Sequence, residues 1–396
     1  MYQAAAFQRE LESLLSYWAH RAVDQKNGGF YGRIDAHDAV VAGSPKGAVL
    51  NARILWTFAA AYNNFRDPAY RALAERAFHY VRQFFIDPEF GGVYWSVNDE
   101  GQPLDTKKQV YALAFTIYGL AEYYRASGDE TALTLAQAQY RAIEAHSFDA
   151  VRGGYLEAFA RDWQPLADLR LSAKDANEKK TMNTHLHVLE AYANLYRVWP
   201  DAGLAQQIRG LLRVFDKHIV DPVTHHLRLF FDENWQSKSE VISYGHDIEA
   251  AWLLLEAAEV LDDPQLVARF QQLALPIATA AAEGLDADGG LNYELEPGHL
   301  VREKHWWVQA EAMVGFLNAY QLGGGEHFLD KFGAVWEFTQ AHILDRAGGE
   351  WFWGVDADHA LMPGQDKAGL WKCPYHNGRA CLEILRRSSG GAFLPH

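Results

Sequence analysis

The sequence predicts an all-α fold, an (α/α)6 toroid of six inner and six outer helices with short β-hairpins and long loops over one face. Three observations predict it. A Gly-Gly signal recurs down the chain, and a pair of helical segments separates successive copies. The first and last helices lack a neighbour of their own in sequence, and both are apolar. An open array needs polar caps at its ends, so two apolar ends imply a ring closed by packing one on the other.

The spacing of Phe7, Leu11, Leu14, Leu15 and Trp18 predicts a helix over 7–22. Asn27-Gly28-Gly29-Phe30-Tyr31-Gly32 then reads as a tight turn before a short aromatic strand. Helices follow over 50–65 and 68–86, divided at Asp67-Pro68. The turn returns at Gly91-Gly92, Gly153-Gly154, Gly289-Gly290 and Gly348-Gly349, with a copy lacking glycine at His225-His226. Successive first glycines lie 63, 62, 136 and 59 residues apart, the long interval spanning the altered copy. Later helix pairs begin near Tyr111 and Asp129, Asn183 and Asp201, His246 and Pro264, and Trp306 and Glu326. A closing helix covers about 376–388. The stretches 33–49, 158–181 and 354–375 are expected to be loops over one face. No linker or composition shift divides the chain, so residues 1–396 read as one catalytic domain.

Hydrophobic residues make up 49% and aromatic residues 13%, enough for a large core. A formal charge of −15 argues against nucleic acid and anionic membrane as partners. Cys373 and Cys381, the two cysteines, imply no disulfide framework. Met1-Tyr2-Gln3-Ala4 leads straight into a helix with no signal-peptide pattern, and no run is apolar enough to span a membrane. A cytoplasmic protein is the expectation.

The helices after the Gly-Gly turns are expected to form the inner ring, with their N-termini at one mouth. Those starts carry Asn51 and Arg53; Tyr111; Asn183, His185 and His187; His246 and Glu249; Trp306, Trp307 and Glu311; and Pro374, Tyr375, His376, Asn377 and Arg379. Six such starts delivering polar and aromatic groups to one centre make a lined pocket. His246 and Glu249 are three apart and share a helix face. The helix dipole disfavours imidazolium there and a neighbouring carboxylate favours it, a balance that suits a histidine meant to take and give a proton. Asp247 is expected to point away and serve the helix N-terminus. Of Trp306 and Trp307, Trp306 is expected inward and its neighbour outward.

Three chemistries fit these residues. His187, His246 and His376 are a candidate zinc set, although His-Glu-x-x-His is absent. Asp247, Glu249, Glu311 and Asp175 are candidates for a carboxylate pair of a glycosidase. Two histidines on opposite walls suit proton transfer at a carbon beside a carbonyl, with Arg53 and His187 as donors to the enediolate oxygens. A sugar-binding toroid without catalysis is the non-enzymatic alternative.

The motifs Gly28-Gly29-Phe30-Tyr31-Gly32-Arg33, Asn51-Ala52-Arg53-Ile54-Leu55-Trp56, Met182-Asn183-Thr184-His185-Leu186-His187, Gly245-His246-Asp247-Ile248-Glu249, Trp306-Trp307-Val308-Gln309-Ala310-Glu311 and Trp371-Lys372-Cys373-Pro374-Tyr375-His376-Asn377 occur in this order. With them the chain resembles the N-acylglucosamine 2-epimerase superfamily, and within it the cellobiose 2-epimerase branch. The resemblance implies epimerisation at C2 of the reducing-end glucose of β-1,4-linked disaccharides such as cellobiose and lactose, with mannobiose a further substrate. It implies no cofactor, no metal, and a monomer or weak homodimer. It implies His376 and His246 as the acid/base pair, Glu249 as the group that polarises His246, and His187 with Arg53 and Asn183 around the C1 and C2 oxygens. Tyr111, Trp306 and Trp371 would contact sugar rings, and Glu311 and Asp175 would bond sugar hydroxyls. A mannose 2-epimerase or aldose–ketose isomerase of the same superfamily is the nearest alternative.

Overall fold

A computed structural model describes residues 4–389. The remaining terminal residues, which the single-domain reading includes, lie outside the described residues. Twelve α-helices are formed among the described residues: α1 (Ala4–His20), α2 (Ala48–Phe65), α3 (Pro68–Tyr80), α4 (Val110–Ser127), α5 (Glu130–His146), α6 (Met182–Val198), α7 (Ala202–Val214), α8 (Tyr244–Val260), α9 (Pro264–Ala281), α10 (Trp306–Gln321), α11 (Glu326–Phe338) and α12 (Tyr375–Ser388). The even-numbered helices form a closed inner ring, each packed on the next and α12 on α2. The odd-numbered helices lie outside, and α1 packs on α12 as the closure argument expects. Trp18 Nε1 donates to Glu350, and Trp351 Nε1 donates to Glu10 Oε1 at 2.7 Å, tying the two ends of the ring together.

Sequence explains the division into rings. Inner helices have neighbours on every side and are apolar nearly all round; α4 buries every residue from Val110 to Tyr123. Outer helices bury one stripe, such as Leu204, Ala205, Ile208, Leu211 and Leu212 of α7. Four outer helices start on an aspartate N-cap, Asp67, Asp129, Asp201 and Asp263, whose side chain accepts from a backbone N–H of the first turn. None of the described helices is long and apolar enough to cross a membrane.

The recurring turns are shorter than the expected aromatic strands. Each is closed by a single antiparallel bridge, Val23 to Phe30, Ile86 to Val93, Phe148 to Tyr155, Val220 to Leu227, Leu285 to Leu291 and Leu344 to Trp351. An aspartate opens the turn and accepts from backbone N–H groups two and three residues on, as Asp24, Asp87, Asp149, Asp221 and Asp345 do. Gly91 and Gly92 take φ of 69° and 71°, the left-handed region where a side chain is unfavourable. His225 keeps that conformation without glycine, at φ 62°.

Candidate active site

One register governs what each inner helix presents. Lys46, Lys108, Lys180, Ile242, Lys304 and Lys372 occupy equivalent positions just before the six inner helices. Five residues further on, His185, Asp247 and Gln309 point back to their own turns. His185 Nε2 accepts from Tyr155 N–H at 2.9 Å, Asp247 Oδ1 from Leu227 N–H at 2.8 Å, and Gln309 Oε1 from Leu291 N–H at 2.8 Å. Asp247 therefore leaves the cavity as expected, but it serves a turn rather than its own helix terminus. Seven residues on stand Arg53, Phe115, His187, Glu249, Glu311 and Arg379. These meet at the centre: the Arg53 guanidinium lies 4.0 Å from the Phe115 ring, and Arg379 Nη2 donates to Glu249 Oε1 at 2.7 Å and to Glu311 Oε1 at 2.6 Å. His246 and His376 share another register, four residues on.

Above this floor is a cavity of about 700 Å³. Of the site residues expected from sequence, Arg53, Tyr111, Asp175, Asn183, His187, His246, Glu249, Trp306, Trp371 and His376 line it. Glu311 does not. It sits behind His376, whose Nδ1 lies 2.7 Å from Glu311 Oε1, while Trp252 Nε1 donates to its other oxygen at 3.2 Å. Its hydrogen bonds go to protein, so it does not contact a sugar as expected. Trp307 lines the cavity together with Trp306, so the outward placement of Trp307 is corrected. Its ring lies 4.8 Å from His246 and 5.6 Å from His376. α8 and α12 flank α10, so Trp307 of α10 neighbours both imidazoles.

Three of the four cavity histidines, His187, His246 and His376, commit Nδ1 to the protein. His187 Nδ1 is 2.9 Å from Glu190 Oε2, His246 Nδ1 is 2.8 Å from Ser243 Oγ, and His376 Nδ1 is 2.7 Å from Glu311 Oε1. Nε2 of each has no hydrogen-bond partner among the described residues. A carboxylate accepts only, so the bonds to Glu190 and Glu311 place the proton on Nδ1 and the lone pair on Nε2. The expected polarisation of His246 by Glu249 is not formed. Ser243 takes that position, and Glu249 turns to Arg379, 3.9 Å from His376 Nδ1.

Burial depresses the imidazoles. His246 falls to about 3, by desolvation and then by the nearby His187 and Lys174. His187 falls to about 4 by desolvation, although Glu190 opposes it, and His376 is driven well below its ordinary value by desolvation, Arg53 and Arg379. All three are neutral near pH 7, so the neutral-pH balance expected of His246 gives way to desolvation. Glu249 is raised well above the usual carboxylate range by burial and by Glu311. Five lining residues carry a buried polar atom without a partner: Arg53 Nε, Ser172 Oγ, Asn183 Oδ1, Glu249 Oε2 and Trp306 Nε1. Unpaired buried polar groups are costly, and a polyhydroxylated ligand offers donors and acceptors to such groups.

The candidate zinc histidines His187, His246 and His376 do not bring three ligand atoms together among the described residues. Among the described residues, the metal-type ligands that do converge are Glu249, Glu311 and His376, within 4.8 Å. There the Arg379 guanidinium already bridges the two carboxylates, so those residues do not fit a metal ion.

Two of the expected loops supply the roof. Residues Leu169–Asp175 and the segment around Gln365 and Trp371 line the cavity, whereas the 33–49 stretch contributes none. Sequence reasoning missed Ser243, Glu190, Tyr293, His305 and Trp353. Glu190 lies one turn deeper in α6 than His187, a spacing of three that carried the signal for a partner. Tyr293 and His305 stack at 4.0 Å across the hairpin Glu294–Glu296/His299–Val301, whose ends no periodicity marks.

A closed helical double ring whose mouth presents imidazoles, a buried guanidinium and tryptophans is the architecture of a carbohydrate-converting toroid. The profile of the N-acylglucosamine 2-epimerase (GlcNAc 2-epimerase) family matches residues 29–380, and the chain belongs to that family. The protein is accordingly an enzyme of the isomerase class, an epimerase. It is 54% identical over 381 residues to a cellobiose 2-epimerase of Bacteroides fragilis, covering 96% of this chain and 97% of that one. It is 39% identical to a cellobiose 2-epimerase of Ruminococcus albus over 95% and 96% of the two chains. The structure of cellobiose 2-epimerase from Bacillus thermoamylovorans B4167 superposes with a TM-score of 0.93 at 40% identity, covering 97% and 99%.

Proposed function

We propose that this enzyme epimerises C2 of the reducing-end glucose in β-1,4-linked disaccharides, turning cellobiose into glucosyl-mannose and lactose into epilactose. The names of the similar proteins support the cellobiose part of this reading. The observation that carries the chemistry is the three imidazoles held through Nδ1, with Nε2 left for a ligand.

In this reading, one of His246 and His376 takes the C2 proton on Nε2. The C–H electron pair becomes the C1–C2 double bond, and the carbonyl pair moves onto O1. Arg53 donates to the oxygens of the cis-enediolate, where preorganised donors matter most, and His187 accepts through Nε2 from a neighbouring sugar hydroxyl. The other histidine returns a proton to C2 on the opposite face. Because both rings are neutral in the free enzyme, one serves as base at once. The donor ring takes its proton from solvent once the buried site holds the negative enediolate, which raises its pKa, and the base ring afterwards releases the abstracted proton to solvent. Tyr111, Trp306 and Trp371 contact the sugar rings, and Asn183 and Asp175 accept from hydroxyls. Glu249, whose pKa burial and Glu311 raise, can supply a proton for ring opening. Residues 1–396 act as one catalytic domain, a cytoplasmic monomer or weak homodimer.

Incubation with cellobiose in D2O, followed by NMR, tests this. Glucosyl-mannose carrying deuterium at C2 is the expected product. Unchanged cellobiose, or free glucose, overturns the reading. Conversion of free mannose in place of cellobiose assigns the site to a monosaccharide isomerase instead.

A further inference from the structure

The fourth repeat departs from the others behind the helix that carries His246. In four repeats a buried lysine ahead of the inner helix, Lys46, Lys108, Lys180 or Lys304, donates to the aspartate that opens the turn, Asp24, Asp87, Asp149 or Asp286. In the second and fifth repeats the second glycine of the turn leaves room for it. A Cβ at Gly92 would meet Lys108 Cδ at 3.2 Å, and one at Gly290 would meet Lys304 Cδ at 2.5 Å. In the fourth repeat Ile242 replaces the lysine and His226 replaces that glycine. The two changes belong together: without the amine, the space admits an imidazole.

That imidazole is held closely. His226 is 6% exposed, its Nδ1 lies 2.7 Å from Asp247 Oδ2, and its Nε2 lies 3.4 Å from Glu283 Oε2. Asp247 is wholly buried, and its other oxygen accepts from Leu227 N–H. Asp247 lies in the first turn of α8, directly after His246 and two residues before Glu249. A buried carboxylate that loses one of its partners is strongly destabilised and drives its backbone to move toward water.

We propose that His226 is a positioning residue: through Asp247 it fixes the first turn of α8, and with it the aim of His246 and Glu249 into the cavity. The neutral side chains of the equivalent positions are completed by backbone carbonyls instead, His185 Nδ1 by Thr181 O at 2.6 Å and Gln309 Nε2 by Leu291 O at 2.8 Å. The assignment rests on the catalytic reading of His246.

Two measurements test it, hydrogen exchange of the 246–249 amides in substrate-free enzyme and steady-state kinetics with cellobiose. His226→Ala is expected to speed that exchange and to lower kcat about tenfold or more, with KM within about twofold. His226→Gln, which keeps an N–H for Asp247, is expected to restore both. Wild-type exchange in His226→Ala overturns the proposal whatever the activity. Faster exchange alongside a fully active His246→Ala upholds the clasp and instead removes the catalytic reading. Should His226→Ala fail to fold, the triple change His226→Gly, Ile242→Lys and Asp247→Gln rebuilds the Gly290, Lys304 and Gln309 arrangement. Recovery of kcat to within about tenfold of wild type supports positioning, and a folded but inactive triple variant overturns it.

Discussion

His376 Nδ1 and Glu311 Oε1 stand 2.7 Å apart although 65 residues separate them in sequence. The bond fixes which imidazole nitrogen bears the proton and leaves Nε2 for the cavity. Glu311→Gln keeps the shape and removes the charge. A hydrogen bond to a charged group contributes about 1.5–3 kcal/mol, so kcat should fall roughly 10–100-fold with a smaller change in KM. Kinetics of Glu311→Gln on cellobiose check this; an unchanged kcat would remove Glu311 from the mechanism.

Removing either proton-transfer ring should cost more. General acid–base groups contribute about 10²–10⁴-fold, so His246→Ala and His376→Ala should each lose activity on that scale. Both variants should keep the wild-type circular dichroism spectrum. A rate near wild type in either variant would refute the pairing.

Acid should unfold the protein through its buried histidines. His185 and His187 are held at about 4 and His246 at about 3, against an ordinary 6.5, desolvation being the first cause for all three. The folded state keeps them neutral, whereas the unfolded chain protonates below about 6.5. Their contribution is therefore complete above that pH and is lost as pH falls from about 6.5 towards 3–4. Each costs up to about 1.4 kcal/mol per pH unit over that window. Denaturant titrations at pH 7 and pH 5 should show lower stability at pH 5, with net proton uptake on unfolding. Equal stability at the two values contradicts the depressed pKa values.

Gly290 is held small by packing. A Cβ there would approach Lys304 Cδ to 2.5 Å and the Phe338 ring to 3.0 Å. Gly290→Ala should cost about 1–3 kcal/mol, read as a lower Tm, with KM little changed. Combining it with Lys304→Ala should return part of the loss; additive losses would show that the lysine is not the obstacle.

The architecture was readable because its signals are local. Asp67-Pro68, the aspartate caps and the Gly-Gly turns each act within a few residues, and they repeat. The inward set was readable for the same reason: Arg53, His187 and His376 lie in the first two turns of helices that all point to one mouth. What escaped was decided across repeats. Glu249 shares a helix face with His246, yet Arg379, 130 residues away, draws its carboxylate elsewhere, and Ser243 bonds the imidazole from just ahead of the helix. Trp307 faces the cavity because it shares a register with Asn183 and Tyr111, a relation visible only once the six starts are aligned. Tyr293 and His305 meet through a hairpin whose pairing no local pattern announces.

The closing of the ring by α1 against α12 has a consequence for biosynthesis. The last helix brings both His376 and Arg379, so it completes the wall and the floor of the cavity in one event. Until it leaves the ribosome, Glu249 and Glu311 have no guanidinium between them, and α1 lacks the helix that packs on it. Closure of the ring and assembly of the cavity floor are therefore one event.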